Sequence, residues 1–190
     1  MNAAPDPLSC PLFVEDEGQA WRADEWSFPK GIARDGMIEG ATGKRELADQ
    51  YFDAAEAVVR LVMENAVPDY TVATPILYLY RHAVELYLKA AIEAQTGRPY
   101  RWKKSENGHE LDAIIRKAPH LSPEARARIL ELHTVDPKST HLRFGSRDAA
   151  FPGPEGWAEM TGFRDAMRAL QAHLAELLER VAVAEQRKAR

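Results

Sequence analysis

Between Pro75 and Gly97 the chain reads PILYLYRHAVELYLKAAIEAQTG, so rich in Leu, Ala and Tyr that a helix built from it is apolar almost all round. Such a helix belongs at the centre of a bundle. Its middle nevertheless holds Arg81, His82, Glu85 and Lys89. Ionisable groups inside an apolar helix are costly unless each has a partner, so the surrounding elements must supply partners. Arg81, Glu85 and Lys89 stand at i, i+4 and i+8 and stack along one stripe, with His82 beside them. Two readings stay open. The stripe is a row of ion pairs on an exposed edge, or it is a polar seam lining a cleft, where Arg81 or His82 faces a phosphate and Glu85 fixes its orientation.

The rest of the chain supplies more helices and no convincing strand. Residues 1–40 contain Pro5, Pro7, Pro11 and Pro29 and show no sustained period. Leu12, Phe13, Trp21, Trp26, Phe28 and Ile32 are too apolar for a free tail, which predicts an irregular arm lying across the domain or a second subunit. From Thr42 a helical pattern begins, with Leu47, Phe52, Ala55, Val58, Val59, Val62 and Met63 on one face and Pro68 as its end. Asp69 or Thr71 caps the second helix, with Pro75 in its first turn, and Gly97 stops it. A third helix is expected over 108–118 and a fourth after Ser122, whose cap position is followed by Pro123 and Glu124. Residues 134–156 read as a loop. A last helix is expected over 157–185, with Met160, Phe163, Met167, Leu170, Leu174, Leu177, Leu178 and Val181 at helical spacing. The fold class is all-α: an irregular arm over 1–40 and a helical bundle over 41–190.

Composition narrows the functional classes. At 190 residues and 45% hydrophobic, the chain fits one domain that needs no disulfide or metal staple. Cys10 is the one cysteine, which excludes an internal disulfide and a cysteine-based zinc cage and fits a reducing, cytoplasmic setting. No stretch approaches the roughly 18 apolar residues of a membrane span, and no leader pattern opens the chain. Residues 1–66 carry 13 acids against 6 bases (−7), residues 67–150 carry 10 against 13 (+3), and residues 151–190 carry 6 of each. An acidic whole argues against indiscriminate nucleic-acid binding, while the basic centre, with His82, His109, His120, His133 and His141, suits a phosphate-bearing ligand.

Three further patterns offer chemistry. His109, after Gly108, either caps the third helix or joins His82 in a site. The loop HTVDPKSTHLRFG places His133, Asp136, Ser139, Thr140, His141 and Arg143 close together, as turn chemistry or as a site. RPYRWKK, residues 98–104, interleaves bases with Tyr100 and Trp102, and either stacks on single-stranded nucleic acid or is a solvated loop with Trp102 tucked into the bundle. Metal-free ribonuclease chemistry needs an acid/base group and a cation for the phosphorane charge. Arg128 with His133, Arg168 with His173, and Arg126 with His133 have suitable spacing, at a frequency close to what composition alone supplies. Dinucleotide and P-loop signatures, HExxH, G-x-S-x-G and Cys–His metal spacing are absent, so no cofactor or metal is expected.

YRHAVELYLKAAIEAQTG followed by GHELDAII resembles the core of HEPN domains, the higher eukaryotes and prokaryotes nucleotide-binding superfamily. Their second helix carries an E-L-x-L-K-A stretch before a Gly-His-[Asp/Glu]-Leu helix start. The likeness covers Arg81 to Ala91 and Gly108 to Leu111. In DPKSTHLRF, Asp136, Ser139 and Arg143 match an Asp-x-x-Ser-x-x-(Phe)-Arg-Tyr segment of some members, with Phe144 in place of Tyr. The resemblance implies a homodimeric four- or five-helix bundle. Many members are metal-independent endoribonucleases of toxin–antitoxin or antiphage systems, and others only bind nucleotides or a protein partner such as an antitoxin or effector subunit. Nuclease members follow the motif Arg with a polar residue, whereas Ile129 and Ala169 stand there in this chain. The polar centre expected is Arg81, His82, Glu85, His109, His133, Asp136 and Arg143. There a His serves as acid/base, Arg143 or Arg81 steadies phosphate, and Glu85 orients its neighbour. A non-catalytic nucleotide- or protein-binding module is the alternative.

Overall fold

Within α2 (Asp69–Thr96), every residue from Tyr80 to Glu93 is buried except His82, which is half-buried. A helix enclosed on all sides organises the others around itself. The computed structural model describes residues 40–102, 108–144 and 159–188; the arm expected over 1–40 lies outside them apart from Gly40, which is already helical. The other elements are α1 (Gly40–Met63), α3 (Leu111–Ile115), α4 (Pro123–Val135), α5 (His141–Phe144) and α6 (Met160–Lys188). Among the described residues there is no strand, in keeping with the all-α expectation. α2 packs against α1, α3, α5 and α6, and α4 packs against α3 and α6.

The core follows the helical period. α1 contributes Ala48, Phe52, Ala55 and Val59, α2 contributes Ile76, Tyr80, Val84 and Leu88, and α6 contributes Met167, Leu170, Leu174, Leu177 and Val181. Ile114 of α3 and Ile129 of α4 close it from the other side. Two polar ties cross the α1–α2–α6 seam. Tyr80 donates its hydroxyl to Glu56 Oε1 at 2.6 Å, while Arg164 and Arg168 donate Nε to Glu56 Oε2 at 2.8 and 2.9 Å. Lower down, Tyr87 donates to Asp49, which also accepts from Gln171 at 3.2 Å. Burial pushes the Tyr80 hydroxyl up, and the Glu56 carboxylate beside it adds to that.

Several ends differ from the sequence reading, each for a local reason. α1 starts at Gly40, ahead of the expected cap Thr42, and ends before Pro68 through backbone chemistry. Ala66 N–H donates to Leu61 O and Asn65 N–H to Val62 O, with Asn65 at φ 56°, which is a Schellman closure with asparagine in the left-handed position. α2 begins directly after Pro68, so Pro75 sits in its second turn and not its first; its missing N–H falls on the helix's exposed end, where water takes over the freed carbonyl. Gly97, at φ 63°, stops α2 as expected and donates its N–H to Glu93 O. Ser122 caps α4 by accepting from Ala125 N–H at 3.1 Å, with Pro123 in the first turn. α3 is shorter than the 108–118 span, starting at Leu111. α6 starts at Met160 and not Trp157, because the Glu159 carboxylate accepts from the Thr161 and Gly162 N–H groups at 2.9 and 2.5 Å.

Glu56→Ala removes the acceptor shared by Tyr80, Arg164 and Arg168. Urea denaturation of this variant is expected to show a loss of about 1–3 kcal/mol. Arg164→Ala in the Glu56→Ala background is expected to add far less than it does alone.

Candidate functional site

The row on α2 points inward. Arg81, Glu85 and Lys89 are 1%, 1% and 8% exposed, which discards the exposed edge. Glu85 is the centre: its Oε1 takes Lys89 Nζ at 2.7 Å and His109 Nδ1 at 2.8 Å, and its Oε2 takes Arg81 Nη1 at 3.2 Å. Burial alone would raise the Glu85 carboxyl, but the Lys89 charge and the Lys89 and His109 hydrogen bonds bring it below its ordinary value. Burial lowers the Arg81 guanidinium, against the opposing pull of Glu85 and Asp136.

Arg81 spends its other donors on backbone. Nη2 donates to His109 O at 2.8 Å and Nε to Asp136 O at 3.1 Å. One side chain thereby pins the entry to α3 and the exit of α4 onto α2. The fork geometry of arginine suits this, since its five donors can reach separate acceptors in one plane.

Asp136 has a double role that turns the expected 134–156 loop into structure. Its backbone closes α4, with N–H donating to Leu132 O. Its carboxylate, on a residue 1% exposed, accepts from the N–H groups of Thr140, His141 and Leu142 at 2.9, 3.1 and 3.2 Å. Those donors open the one-turn helix α5, which the sequence reading left as loop; residues 145–158 lie outside the described residues. The tight path between the two helices puts Ser139 at φ 58°, a conformation uncommon for a residue with a side chain.

Around this buried lattice lies a partly open rim. His109 keeps 40% of its side chain exposed. With Glu85 on Nδ1, Nε2 is the nitrogen left to exchange a proton with anything outside. His82 sits in an aromatic box, edge-on to Tyr51 at 4.5 Å and stacked on Tyr78 at 5.6 Å between centroids. Burial lowers its pKa, Glu85 opposes, and the charges of Lys89, His109 and Arg143 add to the lowering. Arg143 is exposed, with its guanidinium 4.9 Å over the Phe144 ring, and its charge acts on both Tyr78 and His82. Beyond Lys89, whose Nζ lies 5.3 and 5.9 Å from the Tyr100 and Trp102 ring centres, a second aromatic pair begins.

Of the seven residues expected to form the polar centre, Arg81, Glu85, His109 and Asp136 meet directly. His82 and Arg143 stand beside them on the rim. His133 is engaged elsewhere: its Nε2 lies 3.8 Å from Asp112 Oδ1 on α3, and its Nδ1 is buried without a hydrogen-bond partner. The spaced Arg–His pairs do not meet. Arg128 pairs with Glu131, Arg168 binds Glu56, and His173 Nε2 accepts from Ser122 N–H. Tyr51 and Tyr78 were not read as site residues; a tyrosine one turn before His82 was the available signal. Among the described residues no three His, Cys, Asp or Glu side chains stand together to hold a metal, and no helix is long and apolar enough to cross a membrane. No known protein family, curated protein or solved structure matches the chain.

Glu85→Ala leaves Arg81 and Lys89 buried without their shared anion, and a loss of about 3–5 kcal/mol is expected by urea denaturation. The pH dependence has a fixed sign. Because the Glu85 carboxyl is held below its ordinary 4.5, its contribution is complete above that pH and is lost as pH falls through the depressed value. His82, held below 6.5, favours the neutral ring, so stability falls as pH drops below 6.5 toward its own depressed value. Thermal melts between pH 3 and 8 are expected to show both acid limbs, with His82→Phe flattening the upper one and Glu85→Gln the lower one.

Proposed function

We propose that this chain is a HEPN-like helical bundle that binds RNA as a homodimer and cleaves it without a metal ion, in the manner of toxin–antitoxin or antiphage endoribonucleases. The observation that carries this reading is the His109 Nδ1–Glu85 contact at 2.8 Å with the histidine ring partly exposed. A buried carboxylate that fixes one ring nitrogen leaves an imidazole oriented for proton transfer at the other. In this reading His109 takes the proton from a ribose 2′-hydroxyl. The freed oxygen attacks the adjacent phosphorus, the bond to the 5′-oxygen breaks, and that oxygen receives a proton to leave. Arg143, exposed on the rim, steadies the charge on the phosphorane. His82, kept neutral near pH 7 by burial, is the second acid/base candidate. Arg81, Glu85 and Asp136 act by position. His133 has no role in this version.

One observation favours the non-catalytic alternative, a nucleotide- or protein-binding module that pairs with an antitoxin or effector subunit. The buried charges satisfy one another, as they would in a structural staple.

The test uses the full chain with single-stranded RNA in the presence of a chelator. Cleavage is expected to leave 2′,3′-cyclic phosphate ends and to persist with the chelator. His109→Gln is expected to slow it about 10²–10⁴-fold, and Arg143→Ala at least tenfold. RNA that binds and stays intact gives the non-catalytic reading; cleavage that survives His109→Gln removes the assigned role.

A further inference from the structure

The segment that leaves α2 forms, with the turn after α3, an open cleft of about 500 Å³. Arg98, Arg101 and Lys117 line it together with Tyr100, Thr96 and Ile92, and no acidic side chain does. The carboxylate that closes off α2 nearby is already spent: Glu93 Oε1 takes Lys44 Nζ at 3.1 Å and Tyr100 N–H at 2.6 Å. Arg98 and Arg101 are exposed and have no carboxylate partner among the described residues. Cations near a helix C-terminus commonly just complement its dipole. That dipole amounts to roughly half a negative charge, against three full positive charges here, so the cleft keeps a strong positive field.

Aromatic geometry adds a second requirement. Trp102 stacks on Tyr100 with centroids 6.4 Å apart and keeps 52% of its surface exposed. Its other face lies on Gly108 so closely that a Cβ there would stand 2.5 Å from the indole. The glycine therefore lets the ring lie flat and holds it in place. The expectation that Trp102 tucks into the bundle gives way to an indole braced from behind and open in front.

We propose that this cleft binds the phosphate of a nucleotide through Arg98, Arg101 and Lys117, with the base stacked on Trp102. Its volume falls within the usual range for small-ligand sites, about 300–1,000 Å³. Base–aromatic stacking and arginine–phosphate pairing are the two interactions such a ligand gains. The site is separate from His109 and does not depend on the nuclease reading, because binding is read directly and a chain that leaves RNA intact can still pass.

Calorimetric titration of the full chain with adenosine 5′-monophosphate, inorganic phosphate and adenosine tests it. The monophosphate is expected to bind more tightly than either fragment. Arg98→Ala/Arg101→Ala is expected to weaken it at least tenfold while the far-ultraviolet spectrum and melting temperature stay unchanged, since both side chains are exposed. Gly108→Ala, which displaces the indole without changing any charge, is expected to weaken the monophosphate and spare inorganic phosphate. Phosphate binding as tightly as the monophosphate removes the base from the proposal. No binding at millimolar monophosphate, or binding indifferent to the double arginine variant, overturns it.

Discussion

A carboxylate in the middle of the most buried helix sets the terms for everything around it. Glu85 is 1% exposed, and so is Arg81 one turn before it. Lone ions at such positions would be neutralised or expelled. They persist because the polar centre is charge-balanced, with Arg81 and Lys89 against Glu85 and Asp136, and because their hydrogen-bonding capacity is filled by His109, by two backbone carbonyls and by three backbone N–H groups. A balanced, satisfied network in a low-dielectric interior fixes geometry more than it adds net stability. Here it fixes where α3 begins and where α4 gives way to α5.

That architecture explains how three short or irregular segments acquire definite positions. α3 and α5 span five and four residues, too short to hold themselves together in water. Hydrophobic contacts through Leu111, Ile114 and Leu142 contribute, but they are not directional. Direction comes from Arg81, which grips the carbonyls of His109 and Asp136, and from the Asp136 carboxylate, which gathers the first N–H groups of α5. Ser139 in its left-handed conformation is held by the same set of bonds, since its N–H donates to Asp136 O at 3.3 Å.

Local features of the fold were legible in the sequence because local chemistry decides them. Ser122 before Pro123, Gly97 after Thr96 and the apolar period of α1 and α6 each carry their own physical cause. What was not legible depends on distance along the chain. The spacing of Arg81, Glu85 and Lys89 is identical for an exposed ladder and a buried seam; only the packing of α1, α3 and α5 around α2 chooses between them. The Glu85–His109 contact spans 24 residues and the Arg81–Asp136 contact 55, beyond any periodicity. Serine does not announce a left-handed turn as glycine does, which hid α5. The Arg–x4–His pairs misled for a geometric reason: five positions along a helix turn about 140° off the starting face, so Arg168 meets Glu56 while His173 meets Ser122.

The division between buried and rim groups also bears on how substitutions at this site are to be understood. Arg81 touches nothing outside the protein, yet removing it would release His109 from behind, free the Asp136 corner and leave Glu85 with one cation fewer. Any process at the rim would then fail, and Arg81 would look like a participant. Arg143 and the outer nitrogen of His109 are different, because they meet solvent and carry none of the lattice. An effect at those two positions that leaves the melting temperature in place belongs to what the rim does, whereas an effect at Arg81 or Asp136 belongs first to how the rim is held. The distinction follows from exposure alone, and it separates chemistry from scaffolding in a cluster where both are built from the same residue types.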